Sequence, residues 1–115
     1  MDNTCIFCQI ISGDRPGEIV YQDDRVIAFL DIHPVAPAHI LIVPRAHIPS
    51  VNELREGDEP LIGHLFTVAR QLAVEKGIDR SGYRLILNTG PDSGQAVFHL
   101  HLHLIGGRQM RFPMG

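Results

Sequence analysis

The sequence predicts an α+β fold: an antiparallel sheet of about five strands with one long and one or two short helices, assembling as a dimer. Three observations lead there. The 115 residues are 44% apolar and 20% charged, which suits one globular domain spanning 1–115. Short β-rich runs follow one another without the strand and helix alternation of a parallel sheet. A single stretch carries a long helical periodicity.

The elements follow in order. Thr4 is the expected N-cap of a short helix, Cys5-Ile6-Phe7-Cys8-Gln9-Ile10-Ile11, that Ser12-Gly13 ends. Glu18 to Gln22 and Arg25 to Leu30, split by Asp23-Asp24, read as a hairpin. Pro34, Pro37 and Ala38 make an irregular turn before His39-Ile40-Leu41-Ile42-Val43, a central strand stopped by Pro44. Asp58-Glu59-Pro60 starts the long helix, with an acidic first turn and Pro near N1, and Gly77 closes it after about 17 residues. At 100° per residue Leu61, Ile62, Leu65, Phe66, Val68, Ala69, Leu72 and Ala73 share an arc of roughly 160°. One sheet contact needs less, so the surplus points to a second subunit, although a deep monomeric core explains it nearly as well. Tyr83 to Thr89 is a strand, Gly90 to Gly94 a loop, and Val97 to Ile105 the last strand before Gly106-Gly107.

Charge and composition exclude several classes. A formal net charge of −3 argues against nucleic-acid polymers, although a small anionic ligand needs only a local site. No apolar run approaches the roughly 18 to 20 residues of a membrane span, and Met1 to Thr4 lacks the basic region of a signal peptide. A cytoplasmic protein without membrane partners is expected.

Histidine is the unusual residue: seven occur, three of them in His99-Leu100-His101-Leu102-His103. In a strand the leucines would bury while His99, His101 and His103 line the opposite face, about 6.6 Å apart. A half-polar strand could use one histidine toward solvent; strict alternation of three is poorly explained that way. Imidazole titrates near neutrality, so such a patch suits metal binding or nucleophilic and acid–base work on a phosphoryl or acyl group. No carboxylate adjoins this strand, whereas Asn88 and the glycines of 90–94 offer donors for phosphate oxygens. Phosphate chemistry is favoured. His33 and His64 read as surface residues.

The run His99 to Ile105 resembles the His-φ-His-φ-His-φ-φ signature of the histidine triad superfamily. Gly94-Gln95, Gly106-Gly107-Arg108-Gln109-Met110 and the ending Pro113-Met114-Gly115 resemble its purine-nucleoside phosphoramidase (Hint) branch, and the likeness runs from about Cys5 to Gly115. This resemblance implies an enzyme that binds a purine nucleotide and hydrolyses P–N or acyl-phosphate bonds of nucleoside 5′-phosphoramidates or aminoacyl adenylates. It implies His101 as nucleophile, His103 as hydrogen-bond partner of the phosphoryl group, and His39 and His99 as orienting members. It places Asn88, Gly94, Gln95 and the Val97 N–H on the phosphate, Asp31 on the ribose, and Ile6, Phe7, Ile10, Phe29 and Leu41 around the base. A homodimer is implied, with Arg108 to Gly115, including Phe112 and Pro113, reaching toward the partner's site. Ala96 departs from the branch, where Ser commonly stands to help protonate the leaving amine. Alternatives are dinucleoside polyphosphate hydrolysis and a non-enzymatic nucleotide-sensing module.

Cys5-x-x-Cys8 reads either as two inert thiols or as half of a zinc site. Some histidine triad proteins with this motif bind zinc, and the resemblance implies His47 and His99 as the remaining ligands. Such zinc would be structural, because four protein ligands leave no position for substrate; catalysis would need no cofactor.

Overall fold

The computed structural model describes residues 4–111. Its elements are α1 (Ile6–Ser12), β1 (Ile19–Gln22), β2 (Val26–Leu30), β3 (Ala38–Pro44), α2 (Glu59–Glu75), β4 (Tyr83–Ile86) and β5 (Leu102–Gly106), with three short 3-10 turns. The strands form one antiparallel sheet in the order β1-β2-β3-β5-β4, which puts the apolar run of β3 at its centre. The expected α+β architecture holds.

Period-two alternation divides the sheet into two faces. Val26, Ala28, Ile40, Ile42, Leu102 and Leu104 face α2, which buries Leu65, Val68, Ala69, Leu72 and Ala73 against them. Each large aliphatic chain buried here contributes about 1.5–3 kcal/mol. Ile27, Phe29, Leu41 and Val43 face the other way and are covered by Phe7 of α1. The histidine side of the sheet is therefore partly roofed. The arc on α2 outruns the sheet at Phe66, which is 44% exposed. Among the described residues no helix is long and apolar enough to cross a membrane.

Several boundaries differ from expectation. The cap of α1 is Cys5, whose Sγ accepts the Cys8 N–H at 3.4 Å; Thr4 lies outside it. Gly13 closes α1 in the left-handed region, φ 85°, as expected. β5 begins at Leu102, not Val97, and β4 ends at Ile86, not Thr89. Ile42 pairs Leu102, and the next partner position on β3 is Pro44, which has no N–H to continue the ladder. The segment before β5 bonds elsewhere: Leu100 N–H donates to Ile48 O at 2.7 Å.

His64 is also a correction. It is half-buried, and its Nε2 donates to Asp23 Oδ2 at 2.6 Å. The same carboxylate accepts the Tyr21 hydroxyl at 2.6 Å and the N–H groups of Arg25 and Val26, each at 2.8 Å. Burial works against this charge, yet the His64, Tyr21 and backbone hydrogen bonds together hold the Asp23 carboxyl well below its usual range. The cluster fastens α2 to the β1–β2 turn.

Candidate active site

Leu41 of β3 pairs His103 of β5, and His39 pairs Ile105, so His39 and His103 are diagonal neighbours on one face. Their rings lie 5.2 Å apart, and His101 lies 4.9 Å from His103. His101 precedes the strand, yet it keeps the alternation and points to the same side. Phe7 meets its ring edge-on at 5.1 Å.

The bonding partners fix the protons. His101 Nδ1 lies 2.7 Å from the His99 carbonyl oxygen. A carbonyl only accepts, so the proton sits on Nδ1 and Nε2 carries the lone pair. His39 Nδ1 accepts the Val35 N–H at 3.2 Å, which puts its proton on Nε2, 3.0 Å from His103 Nδ1 and 3.3 Å from Asp31 Oδ2. His103 Nδ1 then accepts, and its own proton is on Nε2. Among the described residues no buried side-chain nitrogen or oxygen lacks a partner, so the unbonded Nε2 atoms of His101 and His103 are open to the cleft. Burial keeps all three rings neutral: it lowers His101 and His39 below the usual imidazole value and pushes His103 down to about 4.

The cleft in front of them is about 530 Å³. Ile6, Phe7, Ile10, Phe29 and Leu41 line it together with Asp31, Asn88, Gly94, Val97, His101 and His103, so the fold gathers most of the expected site residues. Arg15, Gly17, Ile32 and His33 line it too, and the sequence reading missed them. The Pro16-Gly17 turn signal was visible, but nothing in it showed that the chain would fold back over the site.

Three expected residues are not in its lining: His39, which meets His103 from behind, Gln95 and His99. Gln95 is buried behind the loop: its Oε1 accepts the Gly90 N–H at 2.8 Å, and its Nε2 donates to Pro49 O at 2.8 Å and Val97 O at 3.1 Å. It shapes the 90–97 loop and does not reach into the cleft. His99 is fully buried and outside the cleft as well, so the ladder splits into two sites.

His99 Nε2 donates to Pro44 O at 2.8 Å, which turns the Nδ1 lone pair toward Cys5, Cys8 and His47. Nδ1 lies 3.5 Å from both sulfurs and 3.2 Å from His47 Nδ1, and Cys8 Sγ is 3.3 Å from His47 Nδ1. Burial pushes His99 down to about 4, so it is a neutral donor. Around a tetrahedral zinc, bonds of about 2.0–2.1 Å to nitrogen and about 2.3 Å to sulfur set ligands roughly 3.3–3.8 Å apart. The four donor atoms, all within 4.8 Å of one another, match that spacing and the chemistry of a Cys₂His₂ set. These residues fit zinc. When bound, it would supply a cross-link between α1, the loop after β3 and the entry to β5.

The scavenger mRNA decapping enzyme C-terminal binding family model matches residues 4–112. The purine nucleoside phosphoramidase of Escherichia coli (strain K12) is 49% identical over 110 residues, 96% of this chain and 92% of that protein. A histidine triad family hydrolase from Legionella pneumophila superposes with a TM-score of 0.94 at 43% identity, covering 96% and 99% of the two chains. One from Clostridium thermocellum gives 0.95 at 44%, covering 99% of each. The chain belongs to the histidine triad superfamily, in its Hint-like branch. With it comes membership of a family of hydrolases.

In this histidine triad protein Ala96 lines the cleft, at the position where the branch commonly carries Ser. Phe112 and Pro113, expected to reach a partner's site, and the Pro113-Met114-Gly115 ending lie outside the described residues.

Proposed function

We propose that this protein hydrolyses purine nucleoside 5′-phosphoramidates or aminoacyl adenylates through a covalent nucleotidyl-histidine on His101. The observation that carries the reading is the His101 lone pair, held toward an apolar cleft by the His99 carbonyl behind the ring. His101 Nε2 attacks the α-phosphorus; a P–Nε2 bond forms as the bond to the amine breaks, and the amine leaves with the electron pair and takes up a proton. Water then attacks phosphorus, expelling His101 and giving the nucleoside monophosphate.

The other residues have roles that follow from their atoms. His103 donates from Nε2 to the phosphoryl group. Asn88, Gly94 and the Val97 N–H hold non-bridging oxygens and stabilise the charge that develops there. Asp31 accepts from the ribose hydroxyls, and Ile6, Phe7, Ile10, Phe29 and Leu41 form the slot for the base. The chain acts as one domain in a cytoplasmic homodimer, the exposed Phe66 of α2 lying in the dimer contact. Cys5, Cys8, His47 and His99 hold a structural zinc and take no part in the chemistry.

The test is turnover of adenosine 5′-phosphoramidate by wild type, His101→Ala and His101→Gly, with mass spectrometry of acid-quenched protein for the nucleotidyl adduct. We expect the variants to lose at least about 10³-fold in rate and to form no adduct. Turnover near wild type would remove His101 from the mechanism. Faster cleavage of diadenosine polyphosphates than of phosphoramidates would reassign the substrate, and monophosphate binding without turnover of any of these would make the site a sensor.

A further inference from the structure

The turn that presents Val35 to His39 buries little of itself. Ile32, His33, Pro34 and Val35 are all exposed, and Pro34 and Pro37 have no N–H with which to brace the backbone. The braces come from outside. Asp31 Oδ1 accepts the His33 N–H at 2.8 Å. The Val35 carbonyl accepts two bonds from one guanidinium, Arg108 Nε at 3.1 Å and Arg108 Nη2 at 2.9 Å. Arg108 arrives by way of Gly107, whose φ is +96° and whose position would set a Cβ within 3.0 Å of Pro37 Cβ. Both facts demand glycine, so the chain after β5 is built to close over this turn.

Val35 thus has its two backbone groups committed to different partners. Its carbonyl is gripped by Arg108, and its N–H is aimed at His39 Nδ1. A two-pronged, charge-assisted grip on the carbonyl fixes the residue and with it the direction of the N–H. That N–H decides which nitrogen of His39 is protonated, and His39 decides the same for His103. Arg108 does not line the cleft.

We propose that Arg108 is a positioning residue: through the backbone of Val35, gripped at its carbonyl, it holds His39 as the Nε2–H tautomer and thereby keeps the His103 proton directed at the phosphoryl site. The proposal rests on the phosphoramidase reading above for its kinetic consequence, but its structural claim does not need that reading. Without the grip, His39 would spend part of its time as the other tautomer, and only the remaining fraction of molecules would be competent.

The full chain is compared as wild type, Arg108→Ala and Arg108→Lys. Phosphoramidate kinetics are recorded beside long-range ¹H–¹⁵N spectra of the histidine rings. We expect Arg108→Ala to lower kcat about five- to twenty-fold with KM within about twofold, and Arg108→Lys to recover part of the loss through a single bond. The His39 and His103 ring nitrogens should shift from single-tautomer to averaged positions in Arg108→Ala, with the melting temperature nearly unchanged at this exposed site. Unchanged ring signals, a change in KM alone, or kcat within twofold of wild type would each overturn the proposal. If wild type itself fails to turn over phosphoramidates, the functional reading falls, while the ring signals still decide whether Arg108 sets the tautomer.

Discussion

Two clusters of histidine lie side by side in this molecule, and the backbone treats them in opposite ways. At His99 a carbonyl, that of Pro44, takes the ring proton, and the lone pair turns toward Cys5, Cys8 and His47. At His39 an amide N–H, that of Val35, takes the lone pair, and the proton turns toward His103 and Asp31. Both clusters bring metal-type ligand atoms within 4.8 Å of one another, so residue identity and spacing do not separate them. The hydrogen bond behind the ring does. A lone pair aimed inward makes a ligand, and a proton aimed inward makes a donor for a developing negative charge. The His39 and His103 pair thereby presents a ring proton to the cleft, and the Cys5, Cys8, His47 and His99 set presents ligand atoms that could hold a metal ion.

The largest effect should come from breaking the first cluster, and it should appear in stability. Protein purified without added metal is expected to carry one zinc per chain. Cys5→Ser, or strong chelation, should lower the melting temperature by roughly 10 °C or more, since metal binding is coupled to folding. At a temperature where the variant stays folded, kcat should remain within about threefold. Absence of zinc in elemental analysis, with no loss of stability in Cys5→Ser, would sink the assignment.

Breaking the second cluster should do the reverse. His39→Gln removes the ring that donates to His103 but leaves Cys5, Cys8, His47 and His99 intact. We expect kcat to fall about ten- to a hundredfold while zinc content and melting temperature stay close to wild type. A variant that lost zinc along with activity would show that the two clusters are one unit, against the division drawn from the tautomers.

Much of this was legible in the sequence, and the reasons it was legible also mark where it stopped being so. A continuous run of apolar, mostly β-branched residues placed β3, and the ladder His99 to His103 announced a reactive face, because side-chain direction in an extended chain depends only on parity. Parity could not say that Pro44 would end the pairing at Ile42 and Leu102, nor that the freed segment would turn His99 toward the cysteines. The apolar residues of the cleft, on α1, β2 and β3, were expected from the resemblance to the histidine triad superfamily and not from any local pattern. Arg15, Gly17 and His33 were missed because loops bring them in, and loop paths follow from long-range closure, not local pattern. His64 looked like a surface residue on a helix flank; its partner, Asp23, is 41 residues away.

A third way to sharpen the comparison is acid. Burial holds His39 below its ordinary value and His103 at about 4, whereas in the unfolded chain both protonate near 6.5. Between those values the unfolded state binds more protons, so stability is fully present above about pH 6.5 and falls as the pH drops toward 4. The Asp23 carboxyl is depressed on folding, and its contribution is lost only below about pH 3.9, the unfolded carboxylate value. Urea midpoints should therefore be level above pH 6.5 and decline from 6.5 to 4. Measured in a Cys5→Ser background, where metal release cannot contribute, a curve level down to pH 4 would show that the buried rings are not held neutral.

The smallest effect concerns the proton that the leaving amine requires. Ala96 lines the cleft and has none to give, while the nearby ring with its proton directed at the cleft is His103. If that ring both steadies the phosphoryl oxygens and supplies the leaving group, amines that leave reluctantly should be penalised most, because their departure depends most on proton transfer. Ala96→Ser adds a hydroxyl at the cleft wall. We expect it to raise kcat about three- to fivefold for alkylamine phosphoramidates and to change it by less than about twofold for anilides, whose amine leaves with little help. Equal gains on both classes would mean that the serine acts by tightening the loop around Gln95, and the division of labour between Ala96 and His103 would have to be abandoned.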